Sequence, residues 1–74
     1  MEEKVINVLK QVNEEIVNYQ GKNMMLDGVI DSFEMIEIVA SLEEEFDIEI
    51  DAKDVIMSNF LTKETIIELI KRYC

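Results

Sequence analysis

Apolar residues return at intervals of three and four along this chain, and their burial has to hold it together unaided. Val5, Val8, Leu9, Val12 and Ile16 form one such stripe, and Met35, Ile38, Val39, Leu42 and Phe46 form a second. Ile66, Ile67, Leu69 and Ile70 give a shorter third. This is the period of an amphipathic α-helix. The chain has 74 residues and a single cysteine, Cys74, so no internal disulfide staples the fold. A chain this short folds only if well-formed helices close on one tight core. The spacing therefore predicts one all-α domain over residues 1–74, a small bundle of three longer helices plus one short helix.

The first stripe predicts a helix from about residue 2 to about residue 18, with Glu2 and Glu3 suiting the positive end of its dipole. Tyr19 to Ile30 reads as a loop, because the only two glycines, Gly21 and Gly28, fall there. Met24, Met25 and Leu26 make that loop apolar enough to fold back onto the core. Asp31 and Glu34 have the spacing of a capping box, so the second helix is expected to start there and to end near Phe46 or Asp47. Asp51 and Asp54 repeat the spacing ahead of a brief turn, Ala52 to Met57. Thr62 is the expected N-cap of a last helix running through Arg72, with Lys71 and Arg72 in the final turn, where the dipole favours cations.

Charge narrows the range of partners. The net charge is −10, and residues 23–52 hold ten acids and no Lys or Arg, while the other seven acids are matched by seven bases. Such a field repels nucleic acid and anionic membranes and steers basic protein surfaces into contact. No apolar run approaches the roughly 20 residues that span a bilayer. The start, Met1-Glu2-Glu3-Lys4, lacks the basic and apolar regions of a signal peptide. With the lone cysteine, this leads to the expectation of a cytoplasmic monomer.

Ser32 is the candidate chemical residue. A serine at a helix start is by itself ordinary. As a nucleophile it would need a base, usually His, and the chain has no histidine, no Gly-x-Ser-x-Gly elbow and no Lys between residues 23 and 52. The expectation is that the protein is not an enzyme. Attachment of a group by a separate enzyme needs less: an exposed hydroxyl in a recognisable setting. A phosphodiester at a helix start meets unpaired N–H groups and the positive dipole end. If Asp31 does the capping, the Ser32 hydroxyl is left over for that purpose.

Asp31-Ser32-Phe33 resembles the Asp-Ser-Leu/Met/Phe signature of the acyl and peptidyl carrier family. Ile36-Glu37-Ile38-Val39 and Leu42-Glu43-Glu44-Glu45-Phe46-Asp47-Ile48-Glu49-Ile50 are similar to that family's recognition helix and the loop after it. Asn59-Phe60-x-Thr62 followed by Ile66-Ile67 resembles the start of its last helix. The resemblance covers nearly the whole chain and is weakest over residues 1–20. It implies an acyl-carrier-like bundle in which Ser32 carries a covalent 4′-phosphopantetheine arm derived from coenzyme A, with Asp31 serving as cap and recognition residue. It further implies that Phe33, Glu34, Ile36, Glu37, Ala40, Glu43 and Glu44 meet partners: Phe33, Ile36 and Ala40 as a small apolar patch, the acids as contacts for basic surfaces. Those partners would be a phosphopantetheinyl transferase, a ligase or transferase that loads the acyl or aminoacyl group, and downstream acyl-using enzymes.

The chain departs from the fatty-acid type of carrier. Those usually have Gly-x-Asp-Ser, whereas Gly28-Val29-Ile30-Asp31-Ser32 has one residue more, which is more similar to D-alanyl carriers and to freestanding carriers served by an adenylating ligase. Asp51 stands where that family expects proline. Two readings from other classes compete: an unmodified acidic interaction module, and a metal-buffering protein. Asp47, Glu49 and Asp51 have the one-three-five spacing of an EF-hand loop, but Ala52 replaces its glycine and Ser58 its final glutamate, which argues against a dedicated calcium site. Met25, Met35, Ile38, Val39 and Ile56 are the residues expected to line any cavity in the bundle. Tyr19 and Tyr73, near helix ends, read as structural.

Overall fold

The computed structural model describes residues 1–74. Glu2–Val12 forms α1, Glu14–Asn18 a short α2, Ser32–Phe46 α3 and Lys63–Tyr73 α4; Ala52–Asp54 and Met57–Asn59 are 3₁₀ turns, and there are no strands. The protein is a small all-α bundle in which α1 packs on both α3 and α4. Its radius of gyration is 10.9 Å, against about 11 Å for a compact chain of this length, so the helices close on one another as a single unit.

The core is made by the three stripes. Val5, Val8, Leu9 and Ile16 come from the first; Ile38, Val39 and Leu42 from the second; Ile66, Ile67, Leu69 and Ile70 from the third. Met24 and Ile30 of the long loop, Ile50, and Phe60 complete it. Met24 docks by main chain as well, donating its N–H to the Leu61 carbonyl at 2.9 Å. Met25 packs at the margin and Leu26 points outward. Val12, Met35 and Phe46 are only partly buried, at the edge of the core. Ile56 is exposed, which removes it from any cavity lining.

Two boundaries differ from the sequence expectation. The first helix is not continuous over residues 2–18. Asn13 has an extended backbone, φ −163° and ψ 109°, so that α1 ends and α2 begins on either side of it. Asn is a poor interior helix residue and a strong cap; here its Oδ1 accepts from the Glu15 N–H at 3.0 Å. The short helix of the bundle is therefore α2. Ala52–Met57 is not one turn but the two 3₁₀ pieces, the first capped by Asp51 accepting from the Lys53 N–H rather than from Asp54.

The α3 terminus falls at Phe46, and Asp47 follows in the left-handed region at φ 54°. The N–H groups of Asp47 and Ile48 both reach the Glu43 carbonyl, the pattern that closes helix ends when a residue turns left-handed. At α4, Thr62 and Thr65 exchange side-chain and backbone hydrogen bonds in a full capping box. The helix continues one residue past Arg72, to Tyr73.

Both tyrosines fasten loops. The Tyr19 hydroxyl donates to Asp27 and accepts from the Asn23 N–H at 2.8 Å. The Tyr73 hydroxyl donates to Asp54 Oδ2 at 2.5 Å and accepts from the Asp51 N–H at 2.9 Å. Burial and the Asp27 bond push the Tyr19 phenol above its ordinary value, and the Asp54 bond does the same to Tyr73.

Candidate functional site

Ser32 opens α3. Asp31 stands just before it as N-cap, and Asp31 Oδ1 accepts from the Glu34 N–H at 2.8 Å. The Asp31 carbonyl takes the Met35 N–H. The capping work at this end is thus done by Asp31, and the Ser32 side chain is exposed. The Ser32 and Phe33 N–H groups remain at the open end of the helix, which is where a phosphate ester on the serine would sit. An exposed, uncommitted hydroxyl at the positive end of a 15-residue helix fits the attachment of a phosphate-linked arm.

The reciprocal half of the expected capping box does not form. The Glu34 carboxylate does not return to the Asp31 backbone; its Oε1 accepts from Asn13 Nδ2 at 3.2 Å. The same Asn13 Nδ2 donates to the Val29 carbonyl at 3.1 Å. Asn13 thus stands behind the loop that leads into Ser32, and sequence reasoning missed it. The apolar spacing of Val8, Val12 and Ile16 runs straight through position 13 and hides the break.

The loop enters Ser32 through Gly28, which has φ +76°. The Gly28 N–H bonds the Met25 carbonyl, and the Val29 N–H returns to the Met24 carbonyl at 2.8 Å. A shallow, open hollow beside the serine is bordered by Asn13, Met25, Val29 and Glu34.

The residues singled out as partner contacts divide into two groups. At 3.6 residues per turn, Phe33, Ile36, Glu37, Ala40 and Glu44 share the side of α3 opposite Ile38 and Leu42, and all five are exposed. Phe33 is 83% exposed and Ile36 57%, unusual values for large apolar side chains on a helix whose other face is core. Two carboxylates thus flank an apolar strip that begins next to Ser32. Glu34 and Glu43 do not share that freedom. Glu34 is bound by Asn13, and Glu43 Oε2 accepts from the Ile50 N–H at 2.8 Å, holding the chain after the helix. Each of the two thus commits one carboxylate oxygen to a bond within the fold.

No three Cys, Asp and Glu side chains converge to hold a metal ion, and no helix is long and apolar enough to cross a membrane. Among the acids of residues 23–52, only Glu45 forms an ion pair, with Lys4 at 3.8 Å on the α1 side. Comparison with protein-family models, with curated proteins and with solved structures finds no match to this chain.

Proposed function

We propose that this chain is a carrier that holds an acyl or aminoacyl group as a thioester on a 4′-phosphopantetheine arm at Ser32. The observation that carries this reading is the exposed Ser32 hydroxyl at the start of α3, freed from capping by Asp31, with an apolar and acidic face directly beside it. A partner transferase would bring coenzyme A and a divalent metal. The Ser32 oxygen bonds to the β-phosphorus of coenzyme A, the bond from that phosphorus to the bridging oxygen breaks, 3′,5′-ADP leaves, and the serine proton passes to the transferase. The carrier itself supplies no base, consistent with its lack of histidine. The arm's thiol then carries the cargo between cytoplasmic enzymes.

Docking rests on Phe33, Ile36 and Ala40 as apolar contacts, with Glu37 and Glu44 meeting Arg and Lys of each partner. Pairs of this kind, made at an interface rim, mainly speed encounter and set orientation. That suits a carrier, which has to leave as readily as it arrives. Within the carrier class the runner-up is a D-alanyl or other aminoacyl carrier loaded by an adenylating ligase, which the Gly28-Val29-Ile30-Asp31-Ser32 stretch resembles.

The test is incubation with coenzyme A, Mg²⁺ and a broad-specificity phosphopantetheinyl transferase, followed by intact-mass measurement. The reading predicts a gain of one phosphopantetheine on the wild type and none on Ser32→Ala. A folded wild-type chain that gains nothing from an active transferase overturns it, and leaves α3 as a plain acidic binding surface.

A further inference from the structure

One side chain ties together the three segments that meet around Ser32. Asn13 Oδ1 caps α2 at the Glu15 N–H, 3.0 Å away. Asn13 Nδ2 donates to the Val29 carbonyl at 3.1 Å, three residues before the serine, and to Glu34 Oε1 at 3.2 Å, two residues after it. Asn13 itself is anchored: its N–H bonds the Leu9 carbonyl, and its own carbonyl takes the Ile16 N–H. Leu9 and Ile16 are fully buried. The amide therefore reaches from a rigid point in the core to both sides of the candidate attachment site.

The bonds on the two sides differ in kind. The Glu34 carboxylate lies on the flank of α3 that faces α1, and its bond to Asn13 fixes the rotation of the first helical turn. The Val29 carbonyl belongs to the entry loop, which is otherwise held near the serine by main-chain bonds from Val29 and Ile30 to the Met24 carbonyl. Those bonds run within the loop and do not tie it to α2 or α3. Asn13 is the side chain that hydrogen-bonds both the loop, at Val29, and α3, at Glu34. It also turns one carboxylate away from the exposed side of the helix start, where an incoming phosphate would otherwise meet it.

We infer that Asn13 is a positioning residue for Ser32: it clamps the Val29 carbonyl and the Glu34 carboxylate so that the serine is presented in one orientation to the transferase. This rests on the carrier reading for its functional consequence, and on geometry alone for the clamp. Without the amide, the chain spends only part of its time in the competent arrangement, and apparent affinity falls by that fraction.

The decisive variant is Asn13→Ser. Serine keeps an oxygen that caps α2 and removes both amide donor bonds without adding charge. The second variant is Asn13→Asp, which sets a carboxylate against Glu34, studied alone and combined with Glu34→Gln, whose amide can donate back across the same gap. Two readouts are taken at a temperature where every variant is folded. The first is amide hydrogen exchange of the unmodified chain. The Val29, Ile30 and Glu34 amides are expected to exchange about tenfold faster in Asn13→Ser, the factor given by the loss of a hydrogen bond to a charged group, while Leu69 in α4 changes less than Val29. The second is transferase kinetics with the protein as varied substrate. KM is expected to rise about five- to tenfold with kcat held, to rise further in Asn13→Asp, and to fall back when Glu34→Gln is added.

Unchanged exchange at Val29, Ile30 and Glu34 overturns the clamp. A uniform change across all amides also overturns it, because Asn13 would then be acting on global stability. Local exchange that rises while KM stays constant overturns the positioning of Ser32. If the wild type accepts no arm at all, the carrier reading fails, and the exchange data still decide the clamp on their own.

Discussion

Tyr73, the last residue of α4, donates its hydroxyl hydrogen to Asp54 and accepts the N–H of Asp51, so one oxygen closes the first 3₁₀ turn onto the final helix. Asn59 extends the arrangement, donating to the Asp54 carbonyl at 2.8 Å and accepting from Arg72 at 3.1 Å. The segment between α3 and α4 has little buried side-chain mass of its own, with Ile50 and Phe60 at its two ends. These polar bonds take the place of packing. Tyr73→Phe is expected to lower the melting temperature by roughly 2–6 °C, read by circular dichroism.

The same bond sets an alkaline limit. The Asp54 hydrogen bond raises the Tyr73 phenol above its ordinary value of 10.0. Below about pH 9 the phenol is protonated whether the chain is folded or not, and its contribution to stability is complete. Above that, the unfolded chain loses the proton first, so stability falls as pH rises through the raised folded value. Tyr73→Phe removes this contribution. The stability difference between wild type and Tyr73→Phe in urea titrations is expected to shrink between pH 9 and pH 11. A difference that stays constant over that range contradicts the assignment.

Asp47 occupies a left-handed conformation at φ 54°, immediately after α3 and next to two further acids of the same segment, Glu45 and Glu49. A residue with a Cβ loses about 1–2 kcal/mol there, and Asp somewhat less than most. Its negative charge also faces the negative end of the helix dipole. Asp47→Gly is expected to stabilise the protein by about 0.5–1 kcal/mol in urea unfolding, and Asp47→Asn by less, since it changes the charge and keeps the side chain. Asp47→Ala is expected to be worse than Asp47→Gly. Equal stabilities for the Gly and Ala variants would place the effect in charge alone.

Glu43 and Glu44 are neighbours with different roles. Glu43 Oε2 holds the Ile50 N–H, and Ile50 is buried. Glu43→Ala is expected to cost about 1–2 kcal/mol of stability, because the N–H is left without its charged acceptor. Glu44 is exposed and takes part in no ion pair within the chain. Glu44→Lys is expected to leave the fold intact and to raise the transferase KM, more steeply at low salt. Equal unfolding midpoints for Glu43→Ala and wild type would show that the bond to Ile50 contributes nothing to stability.

Ten acids in residues 23–52, with Lys4 as their one ion-pair partner, repel one another in the folded state more than in the unfolded one. Salt weakens the pairs of Lys4 with Glu45 and of Lys71 with Glu2 and Glu68 as well. Exposed pairs of this kind contribute about 0–1 kcal/mol each, so relief of the acidic segment is the larger effect. The melting temperature is expected to rise with 0.2 M NaCl and further with a few millimolar Mg²⁺. A melting temperature that stays flat or falls shows that the acids are already spaced widely enough.

The three helical stripes, the start of α3 at Asp31 and the cap at Thr62 were legible because each depends on residues close in sequence. What was not legible depended on residues far apart. The break at Asn13 follows from bonds to Val29 and Glu34, 16 and 21 positions away, and a periodicity argument has no view of them. Glu34 had the right spacing for a capping box, yet a distant amide competed for its carboxylate. Glu43 lay on the border of the stripe, and only the returning chain at Ile50 showed which way it turned. Phe33, Ile36 and Ala40 were expected, through the resemblance, as a small apolar patch near Ser32, and all three are exposed. The function of Ser32 was approached through a resemblance and stands as a proposal, because no local spacing specifies what an exposed hydroxyl carries.

The most direct test of the account is to locate the modification. The chain offers three serines: Ser32 at the start of α3, Ser41 half-buried within it, and Ser58 exposed in the second 3₁₀ turn. After reaction with coenzyme A and a phosphopantetheinyl transferase, fragment-ion mass spectrometry of the digested protein assigns the added group to a residue. The account predicts one phosphopantetheine, on Ser32, in every modified molecule. A group found on Ser58 or Ser41, or a folded chain that stays unmodified beside a carrier that reacts fully, contradicts it.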